Sequence, residues 1–153
     1  MDASATVPIR IELRQDSFDP YQELAGWAGP DGLGAAPAEA VFIGRVRGSS
    51  AAGQALEALE LEHYPGMTER QLRRLAEANG ADPAVRQVLV LHRVGRIPTG
   101  EAIVLVAVRA ERRGPAQRCV QTLLEALKHD APFWKREWRR DGHSDWIEGN
   151  TPL

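Results

Sequence analysis

Two apolar runs lie close together and constrain this chain most: VLVLHRV at residues 88–94 and EAIVLVAVR at 101–109, separated only by GRIPTG. Unbroken valine, isoleucine and leucine over this length suit strands buried on both faces. The intervening glycines and proline make a turn. The two runs are therefore expected to pair as the middle of a sheet, and the rest of the chain must supply the layers that cover it.

The flanking segments supply them. Residues 1–6 read as a flexible tail, and residues 7–153 as a single domain. PIRIELR alternates Ile9, Ile11 and Leu13 against Arg10, Glu12 and Arg14, the pattern of a half-buried strand. DPYQELAGWA reads as a short helix capped by Asp19, with Pro20 at its first position. Residues 29–39 read as a flexible loop, 40–47 as a strand, 48–53 as a mobile loop, and LEALELEHY as a further strand. PGMTERQLRRLAEANG predicts a helix with Thr68 as N-cap, Gln71 completing a capping box, Met67 stapling onto Leu72, and Asn79-Gly80 as its end. GPAQRCVQTLLEALKHD predicts a helix with Pro115 near its start. Its core face is Ala116, Cys119, Val120, Leu123, Leu124 and Leu127. FWKREWRR and SDWIEG flank Asp141-Gly142 as a terminal hairpin. The sum is an α+β fold in which strands outnumber helices.

Composition removes several function classes. Of 153 residues, 43% are hydrophobic and 26% charged, the balance of a globular protein with a real core. A net charge of −2 gives no broad basic field, so no nucleic-acid partner is expected. No stretch approaches the roughly 18–20 apolar residues of a membrane span, and the N-terminus lacks the pattern of a secretion signal. The single Cys119 cannot form an internal disulfide, which fits a cytoplasmic location.

The unusual feature lies in LKHDAPFWKRE, residues 127–137. Nineteen residues are basic, yet only Lys128 and Lys135 are lysine. As surface charges the two residue types are equivalent; as chemistry they are not. Lysine can lose its proton when desolvated and act as nucleophile, acid or base, which arginine cannot. Lys128 falls at the end of the last helix. Pro132 biases Ala131 away from helix, so the chain turns there and Lys135 begins the next strand. Phe133 and Trp134 either join the core or form an apolar wall beside both amines, and such a wall lowers an amine's pKa.

Arginines add to this. GRVRG places Arg45 and Arg47 on one strand face, spaced to fork onto a phosphate. Arg112 and Arg113 precede a helix whose free N–H groups attract anions. Either pair alone is more commonly an exposed salt-bridging pair. Three basic clusters together favour a small anionic substrate. His63, His92, His129 and His143 are scattered without metal-ligand spacing, and no P-loop or dinucleotide fingerprint occurs, so neither metal nor cofactor is expected.

LELEHYPGMTE (59–69), LHRVGRIPTGE (91–101) and LKHDAPFWKRE (127–137) resemble, in order and spacing, the large catalytic subunit of molybdopterin synthase. The likeness runs from about residue 7 to about 148. It implies an α/β hammerhead-like fold with an added antiparallel β subdomain. It implies sulfur transfer from a thiocarboxylated, ubiquitin-like small subunit to cyclic pyranopterin monophosphate (precursor Z), forming the molybdopterin dithiolene. It further implies a heterotetramer built on a homodimer of large subunits. By position in the motifs, Lys128 and Lys135 are the catalytic lysines. Arg45, Val46, Arg47, Arg112, Arg113, Arg136 and Glu137 join them in binding substrate.

One departure stands out. Where the family usually carries Ala-His-Arg this chain has Glu111-Arg112-Arg113, and Gln117 replaces a usual aromatic residue. Arginine binds phosphate but is no acid or base at neutral pH. Two rivals follow: a non-catalytic module that docks a ubiquitin-like partner or a phosphorylated ligand, and a phosphate- or nucleotide-binding enzyme unrelated to pterins.

Overall fold

The computed structural model describes residues 7–29 and 36–147. The expected tail at 1–6, the tip of the 29–39 loop and the residues after 147 lie outside the described residues. Eleven elements follow in order among them: β1 (Ile9–Arg14), α1 (Pro20–Ala25), β2 (Ala38–Arg45), β3 (Leu56–His63), α2 (Met67–Asn79), β4 (Val85–Arg93), β5 (Gly95–Pro98), β6 (Ala102–Ala110), α3 (Arg113–Asp130), β7 (Phe133–Arg139) and β8 (Ser144–Ile147).

The two apolar runs form β4 and β6 and pair antiparallel at the centre of a sheet ordered β1-β4-β6-β2. β1 lies parallel to β4, and β2 antiparallel to β6. Both faces of the central pair are covered, which is why both strands are apolar without alternation. On one face Val88, Val90, Val106 and Val108 meet Leu72 and Ala76 of α2 and Val120, Leu123 and Leu127 of α3. On the other, Leu89, Leu91, Leu105 and Ala107 meet Trp27, with Leu24 of α1 packed alongside. Each fully buried leucine contributes about 1.5–3 kcal/mol of apolar burial.

A second sheet, ordered β5-β3-β7-β8, is antiparallel throughout. The GRIPTG segment contributes more than the expected turn. Gly95–Pro98 is strand β5 on the edge of this sheet, so the chain leaves the first sheet at Val94, runs through the second, and returns as β6. Val46, Leu61 and Ile97, all buried, knit the two sheets together.

Local signals place the remaining ends. Asp19 caps α1 by accepting from Tyr21 N–H at 2.9 Å. The start of α2 differs from expectation by two residues. Gly66, at φ +82°, is the N-cap, and the Glu69 carboxylate accepts its N–H. Thr68 already lies inside the helix, where its hydroxyl accepts from Tyr64 N–H at 3.0 Å. Met67 stands 44% exposed and does not staple onto Leu72. Residues 48–53, read as a mobile loop, fold back through Ser50 N–H to Gln54 O and Gly53 N–H to Ser50 O. α3 ends where Pro132 requires: Ala131 is extended at φ −75° and ψ 133°, and β7 then returns antiparallel to β3.

Candidate active site

The two sheets and the C-terminal end of α3 enclose a cleft of about 630 Å³. Phe42, Ile103, Leu124, Leu127 and Phe133 form much of its apolar wall. Gly44 lets β2 approach β6 closely here: a Cβ at this position would sit 3.0 Å from Val104 Cγ1. That volume lies within the usual range of small-molecule sites.

The turn at Ala131-Pro132 brings both lysines to this cleft. Lys128 projects from the last turn of α3, and Lys135 enters from β7, where it sits opposite Leu61 of β3. Arg45 and Arg47 line the opposite rim, exposed, while Val46 between them is buried against the second sheet. Among the described residues Glu137 is the one acidic residue in the lining. Among the described residues neither lysine forms an ion pair or hydrogen bond. The cleft therefore gathers four cations against one carboxylate, a field that draws in an anion. Burial pushes the Lys135 amine below its ordinary value, and the charges of Lys128 and Arg47 push it further in the same direction. A more open hollow of about 470 Å³ contains Glu62, His63 and Arg96 but no lysine, so it has no comparable charge.

Other expected residues lie elsewhere. Side chains alternate along β7, so Phe133, Lys135 and Glu137 face the cleft and their neighbours do not. Arg136 points to the opposite face of the sheet. It donates to Ser144 Oγ at 2.8 Å and lies 4.7 Å from the Trp138 ring and 5.2 Å from the Trp146 ring. For the same reason Trp134 makes no cleft wall; it packs edge-on against Tyr64 and is 45% exposed. Arg112 and Arg113 sit at the other end of α3 from Lys128, about 22 Å along the helix axis. They are exposed and form no ion pair among the described residues.

Sequence reasoning missed His92, which it set aside for lacking metal-ligand spacing. The ring is buried within β4 and lines the cleft beside Lys135. The available signal was a polar ring directly after the apolar run at 88–91. Among the described residues no cluster of three or more His, Cys, Asp or Glu is placed to hold a metal ion. No helix among them is long and apolar enough to cross a membrane.

The class defined here is a two-sheet α+β protein whose inter-sheet cleft presents amines and guanidiniums that form no ion pair among the described residues. Comparison with known proteins narrows that class. Residues 13–130 match the family described as "MoaE protein". The curated molybdopterin synthase catalytic subunit of Cereibacter sphaeroides is 39% identical over 139 residues, covering 91% of each chain. The solved MoaE protein of Burkholderia ambifaria superposes with a TM-score of 0.72 at 37% identity, covering 95% of this chain and 91% of that one. The molybdopterin synthase structure from Staphylococcus aureus gives 0.72 at 27% identity, covering 94% and 97%. The chain belongs to the MoaE family, the molybdopterin synthase catalytic subunits, and the resemblance and α+β fold expected from sequence both hold.

Proposed function

We propose that this chain is the large subunit of a molybdopterin synthase in molybdenum cofactor biosynthesis. It takes sulfur from the C-terminal thiocarboxylate of a ubiquitin-like small subunit and installs it on cyclic pyranopterin monophosphate. The observation that carries this reading is the convergence of Lys128 and Lys135 with Arg45 and Arg47 in one cleft, with neither amine ion-paired to a carboxylate among the described residues. A tail ending in Gly-Gly is slender enough to enter such a cleft beside a pterin. The curated relative's printed name, a catalytic subunit, supports a second subunit as partner.

In this reading Arg45 and Arg47 hold the substrate phosphate. Lys128 stabilises the anionic tetrahedral intermediate formed when the thiocarboxylate carbon is attacked. Lys135, its pKa lowered by burial, handles a proton at the same centre. Glu137 and Val46 shape the cleft floor and rim. Arg112 and Arg113 are too far from Lys128 to act in their own cleft. They serve that of a second copy, in a homodimer of large subunits within a heterotetramer. Arg136 supports β7 from its outer face. The reaction is placed in the cytoplasm and calls for no metal in the sulfur-transfer step.

The test is an assay of purified chain with thiocarboxylated small subunit and precursor Z, with molybdopterin quantified. Lys128→Arg keeps the charge but removes the amine. It is expected to lower turnover by 10²-fold or more, in line with the roughly 10²–10³-fold cost of removing one preorganised donor, while leaving the thermal midpoint unchanged. Full activity in Lys128→Arg would overturn the role of the amine. A folded wild type that binds its partner but makes no product would favour the binding module, with Arg112 as the first position to examine.

A further inference from the structure

His92 has no part in the roles above. Its Nδ1 lies 2.8 Å from the carbonyl oxygen of Arg93. A carbonyl only accepts, so Nδ1 carries the ring proton and Nε2 keeps its lone pair. Phe133 stacks on the ring with centroids 4.2 Å apart and planes 18° apart, which fixes the direction in which the ring points. The ring lines the cleft, and among the described residues Nε2 has no hydrogen-bond partner.

Lys135 has the complementary deficit. It lies two residues from Phe133 on the same face of β7, so the two side chains leave the strand about 7 Å apart. Its ammonium group is partly buried and has no acceptor among the described residues. The lysine charge already reaches the imidazole, where it disfavours protonation. A donor and an acceptor, each without a hydrogen-bond partner among the described residues, thus line one cleft, where a single bond, direct or through one water, would serve both.

We propose that His92 is a positioning residue for Lys135: its Nε2, a fixed uncharged acceptor, takes a hydrogen bond from the lysine ammonium, directly or through one water, and aims that amine into the cleft. The inference rests on reading Lys135 as a working amine of this site. The other charged or titratable groups facing the pair are Lys128 and His129 from α3, Arg45 and Arg47 from the end of β2 and the segment after it, and Glu137 from β7. The cations favour loss of the Lys135 proton. The imidazole acts in the opposite sense, holding the proton on the amine and giving it a direction.

With only two lysines in the chain, uniform [ε-13C]lysine labelling yields two signals, and each can be titrated separately. Lys135 is expected to titrate below its ordinary value in the wild type. His92→Phe keeps an aromatic ring against Phe133 but removes the acceptor, and should lower the Lys135 midpoint by a further half pH unit or more, the lower end of what one net hydrogen bond is worth. The Lys128 signal should not move. His92→Gln, whose amide oxygen restores an acceptor, should stay near the wild type. A Lys135 midpoint unchanged in His92→Phe, or shifted equally by Phe and Gln, would overturn the proposal. Imidazole 15N spectra of the unmutated chain give a test that needs no variant: a proton found on Nε2 near neutral pH also overturns it. Neither measurement uses substrate, so failure of the synthase reading and failure of this inference are separately visible.

Discussion

Replacing His92 by glutamine should remove most of the protein's sensitivity to mild acid. Burial is the main reason the imidazole pKa falls from 6.5 to about 4; the nearby Lys135 charge adds to the fall, and the Arg93 carbonyl only partly opposes it. The unfolded chain takes up the proton near 6.5, whereas the folded chain resists it until about 4. The stabilisation is therefore complete above pH 6.5 and is lost as the pH falls from 6.5 toward 4. The full span corresponds to about 3 kcal/mol, of which about 2 kcal/mol should disappear between pH 7 and pH 5. That window lies mostly above the range in which carboxylates titrate, and their contribution is common to wild type and variant. Urea unfolding at both pH values measures it. The wild type should lose about 2 kcal/mol more than His92→Gln over this interval. Equal losses in the two proteins would refute the claim that His92 is held neutral by its surroundings.

Two further outcomes follow from packing. Cys119 donates to Asn79 O at 3.1 Å, and burial pushes its thiol up to about 11, so a thiol reagent at pH 8 should modify the native chain only through unfolding; rapid stoichiometric labelling under native conditions would contradict this. Gly44→Ala forces a methyl group to 3.0 Å from Val104 Cγ1 and 3.2 Å from Phe42 Cε1, and should lower stability by about 1–3 kcal/mol while narrowing the cleft, as urea midpoints and ligand titration would show.

Much of the fold was legible because period and length are local properties. VLVLHRV and EAIVLVAVR could only be central strands, and the 3, 4, 7, 8 spacing in α3 identified the face that now packs on Val106 and Val108. The split into two sheets was not legible. β5 is four residues long, and only its pairing with Leu59 and Leu61 of β3 distinguishes it from a turn. The site shows the same boundary. Lysine scarcity pointed to Lys128 and Lys135, while Arg45 and Arg47 reach the same cleft although β2 ends at Arg45 and Arg47 lies beyond it, short of the strand expected over 40–47. Arg136 and Trp134 fell on the wrong face because the motif was taken as a block, whereas a strand sends alternate residues to opposite sides. His92 was missed because a search for metal ligands gives no weight to a single histidine.

The Arg112 departure takes on a definite meaning within this geometry. α3 carries no acidic residue in its first turn, and two arginines stand at its positive end, where the helix dipole disfavours them. The Arg112 charge helps to lower the pKa of the neighbouring Glu111 carboxyl, but that carboxyl pairs with Arg86, and neither arginine forms an ion pair among the described residues. An arrangement that works against local electrostatics suits residues reserved for an anion from outside the chain, and arginine does that as well as histidine. Proton handling is a separate task. On the proposed reading it falls to the cleft itself, where burial lowers the pKa of the Lys135 amine and holds His92 uncharged beside it. On that reading a histidine at position 112 is dispensable to proton transfer so long as the two lysines remain. That division of labour accounts for a chain that writes its other cations as arginine and keeps lysine at these two positions alone.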